Sequence, residues 1–214
     1  MSGKAREERM GLSAAQLAEI SKHATVREFR PRTVLVSEGD KTDSLYIILE
    51  GRVRAYVSDS DGREAVLSVM GPGEYFGELA LDEGPRSASV ITLDACRMLV
   101  VPKEDFVDFV KRSPAFAFHF ITRLIARIRR LTNNVRSLAL MDAYGRVARL
   151  LLDSSVTEKG VQLVPEKLTQ AEIASRVGCS REMVSRILKD LVQGRYITIE
   201  PDRIVINRKP PAKW

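Results

Sequence analysis

A short segment in the first half of the chain combines residue types that can bind a phosphate and a sugar. It covers residues 77–90 and contains Gly77, Glu78 and Arg86. A glycine lets backbone N–H groups approach a ligand closely, and an arginine can bind a phosphate through two hydrogen bonds. The carboxylate of Glu78 can accept hydrogen bonds from a sugar hydroxyl. These residues predict a phosphate–sugar pocket, although Arg86 could equally be a structural ion-pair partner of Glu78.

A second segment, residues 169–188, has the pattern of a helix-turn-helix. Apolar residues recur on one face of each predicted helix, and Gly178 between them permits a tight turn. N-terminal residues of a recognition helix reach base edges in the major groove, where Arg matches guanine and Glu can accept from cytosine. Helix-start hydroxyls suit phosphate contacts. The predicted DNA-binding residues are Thr169, Gln170, Ser180, Arg181, Glu182, Ser185 and Arg186. The alternative is a solvated helix face with an ion pair between Glu182 and Arg186.

A long helix between these segments carries a heptad pattern. Residues 114–138 predict it, with apolar residues at alternating steps of three and four. β-branched residues at a positions with leucine at d positions favour a parallel, two-stranded coiled coil. The predicted dimer interface, here called the seam, consists of Ile121, Leu124, Ile128, Leu131, Val135 and Leu138. A core helix of a monomer is the alternative, but its apolar face should be broader than this stripe.

The first half of the chain otherwise reads as short strands. Runs rich in Val, Ile and Leu cover residues 33–36, 44–49, 52–58, 65–70, 89–92 and 96–101, separated by glycine-containing breaks. Asp61-Gly62 between two alternating runs predicts a hairpin. Many short strands with regular turns predict an antiparallel sandwich or barrel. Residues 12–23, with Ser13 as the candidate cap, and 103–112 predict helices on either side of the strands.

Beyond the long helix, the pattern predicts a small mixed domain. Asp142 is a candidate cap for a helix that continues over residues 146–154. Residues 161–164 predict a strand, and residues 196–200 and 203–207 a closing hairpin, or wing, around Pro201-Asp202. The last residues, 209–214, are expected to be loose.

Charge and composition restrict the function classes. Residues 1–113 carry 16 Lys and Arg against 19 Asp and Glu, whereas residues 114–214 carry 18 against 9. The basic second half suggests a polyanionic partner. No apolar run is long enough to span a bilayer, and the first residues do not form a secretion signal, so a cytoplasmic protein without membrane contact is expected. Without a nucleophile–base pair or a metal-ligand cluster in the sequence, neither an enzyme nor a metal site is predicted.

Residues 77–90 resemble the phosphate-binding cassette of cyclic-nucleotide-binding domains, which occur in cyclic-AMP-dependent kinase regulatory subunits and in bacterial cyclic AMP receptor proteins. The resemblance covers roughly residues 26–112. It implies that Gly77 and Glu78 hold the ribose 2′-hydroxyl, and that Arg86 with Ser87 and Ala88 holds the cyclic phosphate. Leu79, inside the cassette, is assigned to the same ligand site.

The base would be reached from the long helix. In bacterial cyclic AMP receptors two adjacent hydroxyl residues there contact it. Here Leu131, a seam residue, stands at the first position, and Thr132 and Asn133 follow as the predicted base contacts. The resemblance makes cyclic AMP the first choice of effector. Cyclic di-GMP is the second, because the arginines beside the seam could meet another phosphate, and cyclic GMP is a further alternative.

The second segment, within residues 140–208, resembles the DNA reader of the cyclic AMP receptor and fumarate–nitrate reduction regulator family. Arg181, Glu182 and Arg186 fall on the family's three base-reading positions. This implies half-sites similar to GTGA in an inverted repeat. Iron–sulfur sensors of the family use several cysteines near the N-terminus, and this chain has none there. Haem would need an axial ligand, and both His23 and His119, the latter predicted to face outward, are taken as ordinary residues, so no prosthetic group is predicted.

The main hypothesis is therefore an α+β, homodimeric transcription factor controlled by a cyclic nucleotide, with double-stranded DNA and RNA polymerase as further partners. It divides the chain into a β-roll sensor (residues 1–112), a central dimerisation helix with a hinge (113–139) and a winged helix-turn-helix (140–214). Two alternatives stay open. One is a ligand-independent or cyclic di-GMP-responsive regulator of the same family, and the other is a cyclic-nucleotide-binding interaction module without a DNA role.

Overall fold

The computed structural model describes residues 14–22, 24–41, 43–82, 84–165 and 168–211. The first half contains, in chain order, helix α1 (Ala14–Ser21), strands β1 (Thr25–Phe29), β2 (Val34–Val36), β3 (Ser44–Glu50), β4 (Val53–Ser58), β5 (Glu64–Met70) and β6 (Tyr75–Phe76), a 3-10 helix (Glu78–Asp82), strands β7 (Ser89–Thr92) and β8 (Cys96–Pro102), and helix α2 (Lys103–Arg112). The second half contains helices α3 (Pro114–Leu140) and α4 (Ala143–Asp153), strands β9 (Val156–Glu158) and β10 (Val161–Val164), helices α5 (Gln170–Val177) and α6 (Arg181–Gln193), and strands β11 (Ile197–Ile199) and β12 (Ile204–Ile206). Ser13, His23 and residues 212–214 lie outside the described residues.

The strands of the first half form two antiparallel sheets. One has the strand order β1-β8-β3-β6 and the other the order β2-β7-β4-β5. Strands β3 and β8 pair from Ser44 opposite Pro102 to Glu50 opposite Arg97, with an irregularity between Ile48 and Glu50. Gly62 in the predicted β4–β5 hairpin has a φ of +75°, a backbone conformation that favours glycine. The predicted antiparallel β-roll is confirmed.

Strands β1, β6 and β9 and the 3-10 helix are absent from the sequence predictions. Strand β1 is exposed at four of its five residues and β9 at all three, so neither has the alternation of buried and exposed residues that marks a strand in the sequence. Strand β6 has only two residues. These strands are defined by backbone pairing with β8, β3 and β10 rather than by a pattern of their own.

An aromatic cluster packs the start of α3 against the β-roll. The ring of Phe106 on α2 meets Phe116 and Phe120 of α3 edge-on, with centroid separations of 5.8 and 5.3 Å. Tyr75 of β6 stacks on Phe120 and donates its hydroxyl to the backbone oxygen of Phe120. Aromatic pairs of this geometry contribute about 0.5–1.5 kcal/mol each beyond the area they bury. The strand that precedes the pocket segment is therefore held directly on α3.

Helix α3 continues two residues beyond its predicted end at Leu138. Of the seam residues, Leu124 is half-buried against the β-roll core, whereas Ile121, Ile128, Leu131, Val135 and Leu138 are exposed. The exposed apolar face is also wider than the predicted two-position stripe. It includes Ile125 and Phe118, the latter with 74% of its surface exposed.

The second half contains a three-helix core and a small sheet. Buried side chains of α4, α5 and α6 pack together, among them Val147, Ile173, Val184 and Leu191. The strand order of the sheet is β11-β12-β10-β9, and the β11–β12 hairpin is the predicted wing. Asp142 caps α4 by accepting a hydrogen bond from the backbone N–H of Gly145, as predicted. The predicted winged helix-turn-helix is confirmed.

The chain divides into two compact units. The first unit runs to Asp59 and resumes over Val66–Ile128, and the second comprises Ser60–Ala65 and the chain from Arg129 onward. Among the described residues, no helix is both long enough and apolar enough to cross a membrane.

Candidate nucleotide pocket and DNA-reading helix

Gly77 and Arg86 are held together in the first unit. Arg86 is 5% exposed, and its guanidinium donates hydrogen bonds to the backbone oxygens of Gly77 (2.9 Å) and Ser44 (2.6 Å). Gly77 has a φ of +92°, and a Cβ at this position would stand 2.7 Å from both the Ser44 oxygen and Arg86 Nη1. Only glycine fits there, and its missing side chain lets the Gly77 backbone and the Arg86 guanidinium lie in contact.

The backbone around Arg86 is fixed by an upstream turn. Its N–H donates to the backbone oxygen of Asp40, and its own oxygen accepts a hydrogen bond from the N–H of Gly39. Burial lowers the pKa of the guanidinium, while the nearby Tyr46, Glu78, Asp43 and Asp40 oppose this effect. Arginine stays protonated in proteins, so the pocket wall carries a buried positive charge that an anion would stabilise.

Glu78 forms its ion pair with Arg127, not with Arg86. Its carboxylate is almost completely buried, and Oε1 accepts a hydrogen bond of 2.5 Å from Arg127 Nη1 on α3. The alternative that Arg86 is the ion-pair partner of Glu78 is therefore wrong. The other oxygen, Oε2, is buried without a hydrogen-bond partner among the described residues. Leaving a buried acceptor unpaired costs about 1–3 kcal/mol.

These residues line one pocket of about 390 Å³, part of which is open to solvent. Its floor is apolar and includes Val36, Met70 and Phe76. Leu79, Ser87 and Ala88, all predicted ligand residues, line it together with Gly77, Glu78, Arg86 and Arg127. An unpaired buried acceptor, a buried cation and a glycine cradle above an apolar floor fit a small ligand that has a hydroxyl, an anionic group and a flat apolar part.

Two predicted ligand residues lie elsewhere in the chain. Thr132 and Asn133 are exposed on the second half of α3 and belong to the second unit, whereas the residues that line the pocket belong to the first. Their contact with a base stays a prediction.

Sequence reasoning missed Arg127 and misplaced His119. Arg127 follows Phe120 by seven residues, so the two share a helix face, and the apolar face toward the β-roll was the signal that could have found it. His119 is half-buried, and its Nε2 is buried without a hydrogen-bond partner among the described residues. Burial, followed by the charge of Arg123, lowers the pKa of the imidazole. The prediction that His119 faces outward is wrong.

The second unit presents the predicted DNA-reading residues on its surface. Thr169 caps α5 and forms a capping box with Glu172, and Ser180 caps α6 by accepting a hydrogen bond from the N–H of Met183. Gly178 at the turn has a φ of +65°. Six predicted residues are exposed and Gln170 is half-buried; the exposed ones are Thr169, Ser180, Arg181, Glu182, Ser185 and Arg186.

Glu182 is prepared to act as a hydrogen-bond acceptor. Its carboxylate is hydrogen-bonded to its own backbone N–H and to the Ser180 side chain, and these two bonds lower its pKa together with the charges of Arg181 and Arg186. The group is therefore ionised at neutral pH. An ionised carboxylate at the start of a recognition helix can accept from the amino group of cytosine.

The two units correspond to two known domain families. Residues 26–113 match the model of the cyclic nucleotide-binding domain, and residues 145–210 match that of the Crp-like helix-turn-helix domain. A CRP-like cAMP-activated global transcriptional regulator of Mycobacterium tuberculosis is 33% identical over 202 residues, which cover 92% of this chain and 90% of the relative. The chain belongs to the CRP/FNR family of transcriptional regulators.

Two further similar proteins are also named as regulators. The cAMP-activated global transcriptional regulator CRP of Salmonella typhimurium is 32% identical over 192 residues, covering 86% of this chain and 90% of the relative. A solved structure of CLP of Xanthomonas campestris, described as a c-di-GMP responsive global regulator, has a TM-score of 0.80 and 26% identity, and the match covers 91% of this chain and 99% of that one. These relatives are transcriptional regulators rather than enzymes.

Proposed function

We propose that this CRP/FNR protein is a homodimeric transcription factor whose binding to palindromic DNA is controlled by a cyclic nucleotide, with cyclic AMP as the first choice. The observation that carries the proposal is the pocket in which the unpaired Glu78 Oε2 and the buried Arg86 guanidinium line one cavity. RNA polymerase is the further partner expected of a transcription factor. The predicted division near residues 112 and 139 would separate sensor, dimerisation helix and DNA reader.

The pocket residues would share the work of binding the nucleotide. Arg86 neutralises the cyclic phosphate with support from the backbone of Ser87 and Ala88, and Glu78 Oε2 accepts a hydrogen bond from the ribose 2′-hydroxyl. The apolar floor with Phe76 and Met70 accommodates the base. Arg127 holds the carboxylate of Glu78 in position through its ion pair. The base is read by Thr132 and Asn133.

The choice among effectors depends on the relatives. Two regulators that are 33% and 32% identical to this chain are named as cAMP-activated. The Xanthomonas regulator, 26% identical, is described as c-di-GMP responsive, which keeps cyclic di-GMP as the second candidate.

Titration calorimetry of the full chain against cyclic AMP, cyclic GMP and cyclic di-GMP tests this choice. We expect cyclic AMP to bind most tightly, and 2′-deoxy cyclic AMP to bind about tenfold more weakly, because it cannot pair with Glu78 Oε2 and leaves a buried charged acceptor unpaired. Tighter binding of cyclic di-GMP would instead support the second candidate. No binding of any of these nucleotides would favour the ligand-independent alternative.

Recognition helix α6 would read half-sites similar to GTGA. We expect Arg181→Ala to weaken binding to the palindrome by about 1–3 kcal/mol per subunit at one base pair and to relax specificity there. Fluorescence anisotropy with duplexes substituted at single positions measures this, with Arg149→Ala on α4 as the control. An equal loss on every duplex, with a shallower salt dependence, would make Arg181 a phosphate contact instead.

The partner that covers the seam would be a second copy of this chain. Five seam residues and the neighbouring Phe118 and Ile125 form an exposed apolar stripe along one helix, and such stripes mark interaction surfaces. The β-branched residues at a and leucines at d favour a parallel pair of helices. Two recognition helices carried by such a pair could stand one DNA turn apart, roughly 34 Å.

A further inference from the structure

Arg146 on the first turn of α4 binds the ends of two other helices. Its Nε donates to the backbone oxygen of Val177 (2.7 Å), its Nη1 to that of Met141 (2.9 Å), and its Nη2 to that of Gly178 (3.2 Å). Met141 directly follows α3, and Val177 and Gly178 end α5. One half-buried guanidinium therefore connects the end of the central helix to the turn of the helix-turn-helix.

This position matches the chemistry of both helix ends. The last backbone oxygens of a helix have no partner within the helix, and the helix dipole gives them a partial negative charge. The planar guanidinium presents several N–H donors in a fixed fork, so it can bind backbone oxygens of both helix ends at once and fix the angle between the two helices. A lysine has a compact charge on a flexible chain and would fix that angle less well.

A second contact also joins the end of α3 to the turn of the helix-turn-helix. A Cβ built on Gly178 would stand 3.2 Å from Cδ2 of Leu138, so the side chain of Leu138 on α3 reaches the turn. Because Gly178 also needs its left-handed conformation, a larger residue at this position would disturb both the turn and the contact. The recognition helix α6 begins at Arg181, three residues after this glycine.

We propose that Arg146 is a positioning residue for DNA recognition, which fixes the helix-turn-helix to the end of the central helix and so sets the separation of the two recognition helices in the dimer. The inference rests on the proposed function, because only a dimer that reads a palindrome has a separation to set. Arg146 acts through α6 and is not assigned a contact with DNA.

Spacing preference tests this role. The variants are Arg146→Gln, Arg146→Lys and the control Arg149→Gln, which removes the exposed pair of Arg149 with Asp153 on the same helix. Each full-length protein is titrated, with saturating cyclic AMP, against a GTGA palindrome, the same palindrome with one base pair inserted between its half-sites, and an unrelated duplex. One base pair lengthens the separation by about 3.4 Å.

We expect wild type and Arg149→Gln to bind the lengthened palindrome about tenfold or more weakly than the original. Arg146→Gln should bind the original palindrome about tenfold more weakly than wild type, and its affinities for the original and the lengthened palindrome should differ by less than about threefold. Its affinity for unrelated DNA should equal that of wild type, because phosphate contacts do not need a fixed angle between the central helix and the helix-turn-helix. For Arg146→Lys we expect an affinity and a discrimination between those of wild type and those of Arg146→Gln. Calorimetric affinity for cyclic AMP should not change in any variant, since Arg146 and Arg149 do not line the pocket.

A merely structural role gives a different result. Arg146→Gln would then bind all three duplexes more weakly and keep the wild-type penalty for the inserted base pair, which overturns the proposal. Should Arg146→Gln not fold, as judged by thermal unfolding, Arg146→Lys decides in the same way. A wild-type protein without preference for the palindrome would overturn the proposed function itself, and with it this role of Arg146. This outcome is seen with the wild-type protein alone, so it can be distinguished from a failure of the Arg146 proposal, which is seen only in the variants.

Discussion

Replacing Arg86 by leucine is expected to abolish binding of the cyclic nucleotide and, with it, nucleotide-dependent binding of DNA. The guanidinium is the buried positive charge of the pocket, and leucine cannot neutralise a phosphate. A hydrogen bond to a charged group contributes about 1.5–3 kcal/mol, so the loss of two such bonds predicts an affinity lower by about 100-fold or more. Titration calorimetry with cyclic AMP measures the first effect and fluorescence anisotropy with a GTGA palindrome the second.

Arg86 also holds the backbone oxygens of Gly77 and Ser44, so a loss of folding must be separated from a loss of binding. Thermal unfolding of each variant makes this separation. Arg97→Leu is the matched control, because Arg97 lies on β8 of the same unit and forms an exposed ion pair with Glu50. We expect the control to bind cyclic AMP like wild type. If a folded Arg86→Leu protein keeps wild-type affinity, the phosphate is held elsewhere and the assignment of this pocket is wrong.

The two halves of the pocket differ in how far the sequence predicts them. Gly77, Glu78 and Arg86 lie within ten residues of each other, and their types alone indicate phosphate and sugar chemistry. The pair of Glu78 with Arg127 joins residues separated by 49 positions, and no local spacing predicts such a contact. The pair depends on the packing of Phe116 and Phe120 against Phe106, which brings one face of α3 to the β-roll.

His119 shows the limit of predicting exposure from a heptad. The seam places His119 at an outward position, which holds for a helix whose only neighbour is its coiled-coil partner. Helix α3 has the β-roll as an additional neighbour along its first turns, where Phe116 and Phe120 join the β-roll core, and Nε2 of His119 on the same turns is buried. The same packing makes Leu124 a member of the β-roll core and leaves Phe118 and Ile125 exposed, so the apolar face is wider than the heptad predicts.

The second half follows the sequence more closely because its signals are local. The caps Asp142, Thr169 and Ser180 each bond to a backbone N–H three residues later, and Gly178 provides the turn. In contrast, the link from Arg146 to Val177 spans 31 positions and has no signature in the sequence. Local capping and turn residues thus predict the helix-turn-helix from the sequence, whereas the contacts of Arg146 are visible only in the folded chain.

Placing glutamate at two seam positions, Ile128→Glu and Val135→Glu, is expected to separate the homodimer into single chains. Both residues are exposed on α3 of one chain and would be buried against the same residues of its partner. Each pair would then bring two carboxylates together in an apolar seam, and burying unpaired charges is strongly unfavourable. Sedimentation equilibrium should detect monomers, and affinity for the GTGA palindrome should fall by about 100-fold or more, because a single reader contacts only one half-site.

Ala126→Glu provides the control, since Ala126 is exposed on the same helix at a position outside the a and d seam. It adds one carboxylate to α3 and should leave both the dimer and its affinity for DNA unchanged.

The nucleotide affinity of the seam variant tests whether one chain alone can bind the ligand. Because Glu78, Arg86 and Arg127 come from one chain, we expect monomers to retain binding of the phosphate and sugar. A variant that remains dimeric with glutamate at both positions would show that another surface pairs the chains, and the seam hypothesis would then be wrong.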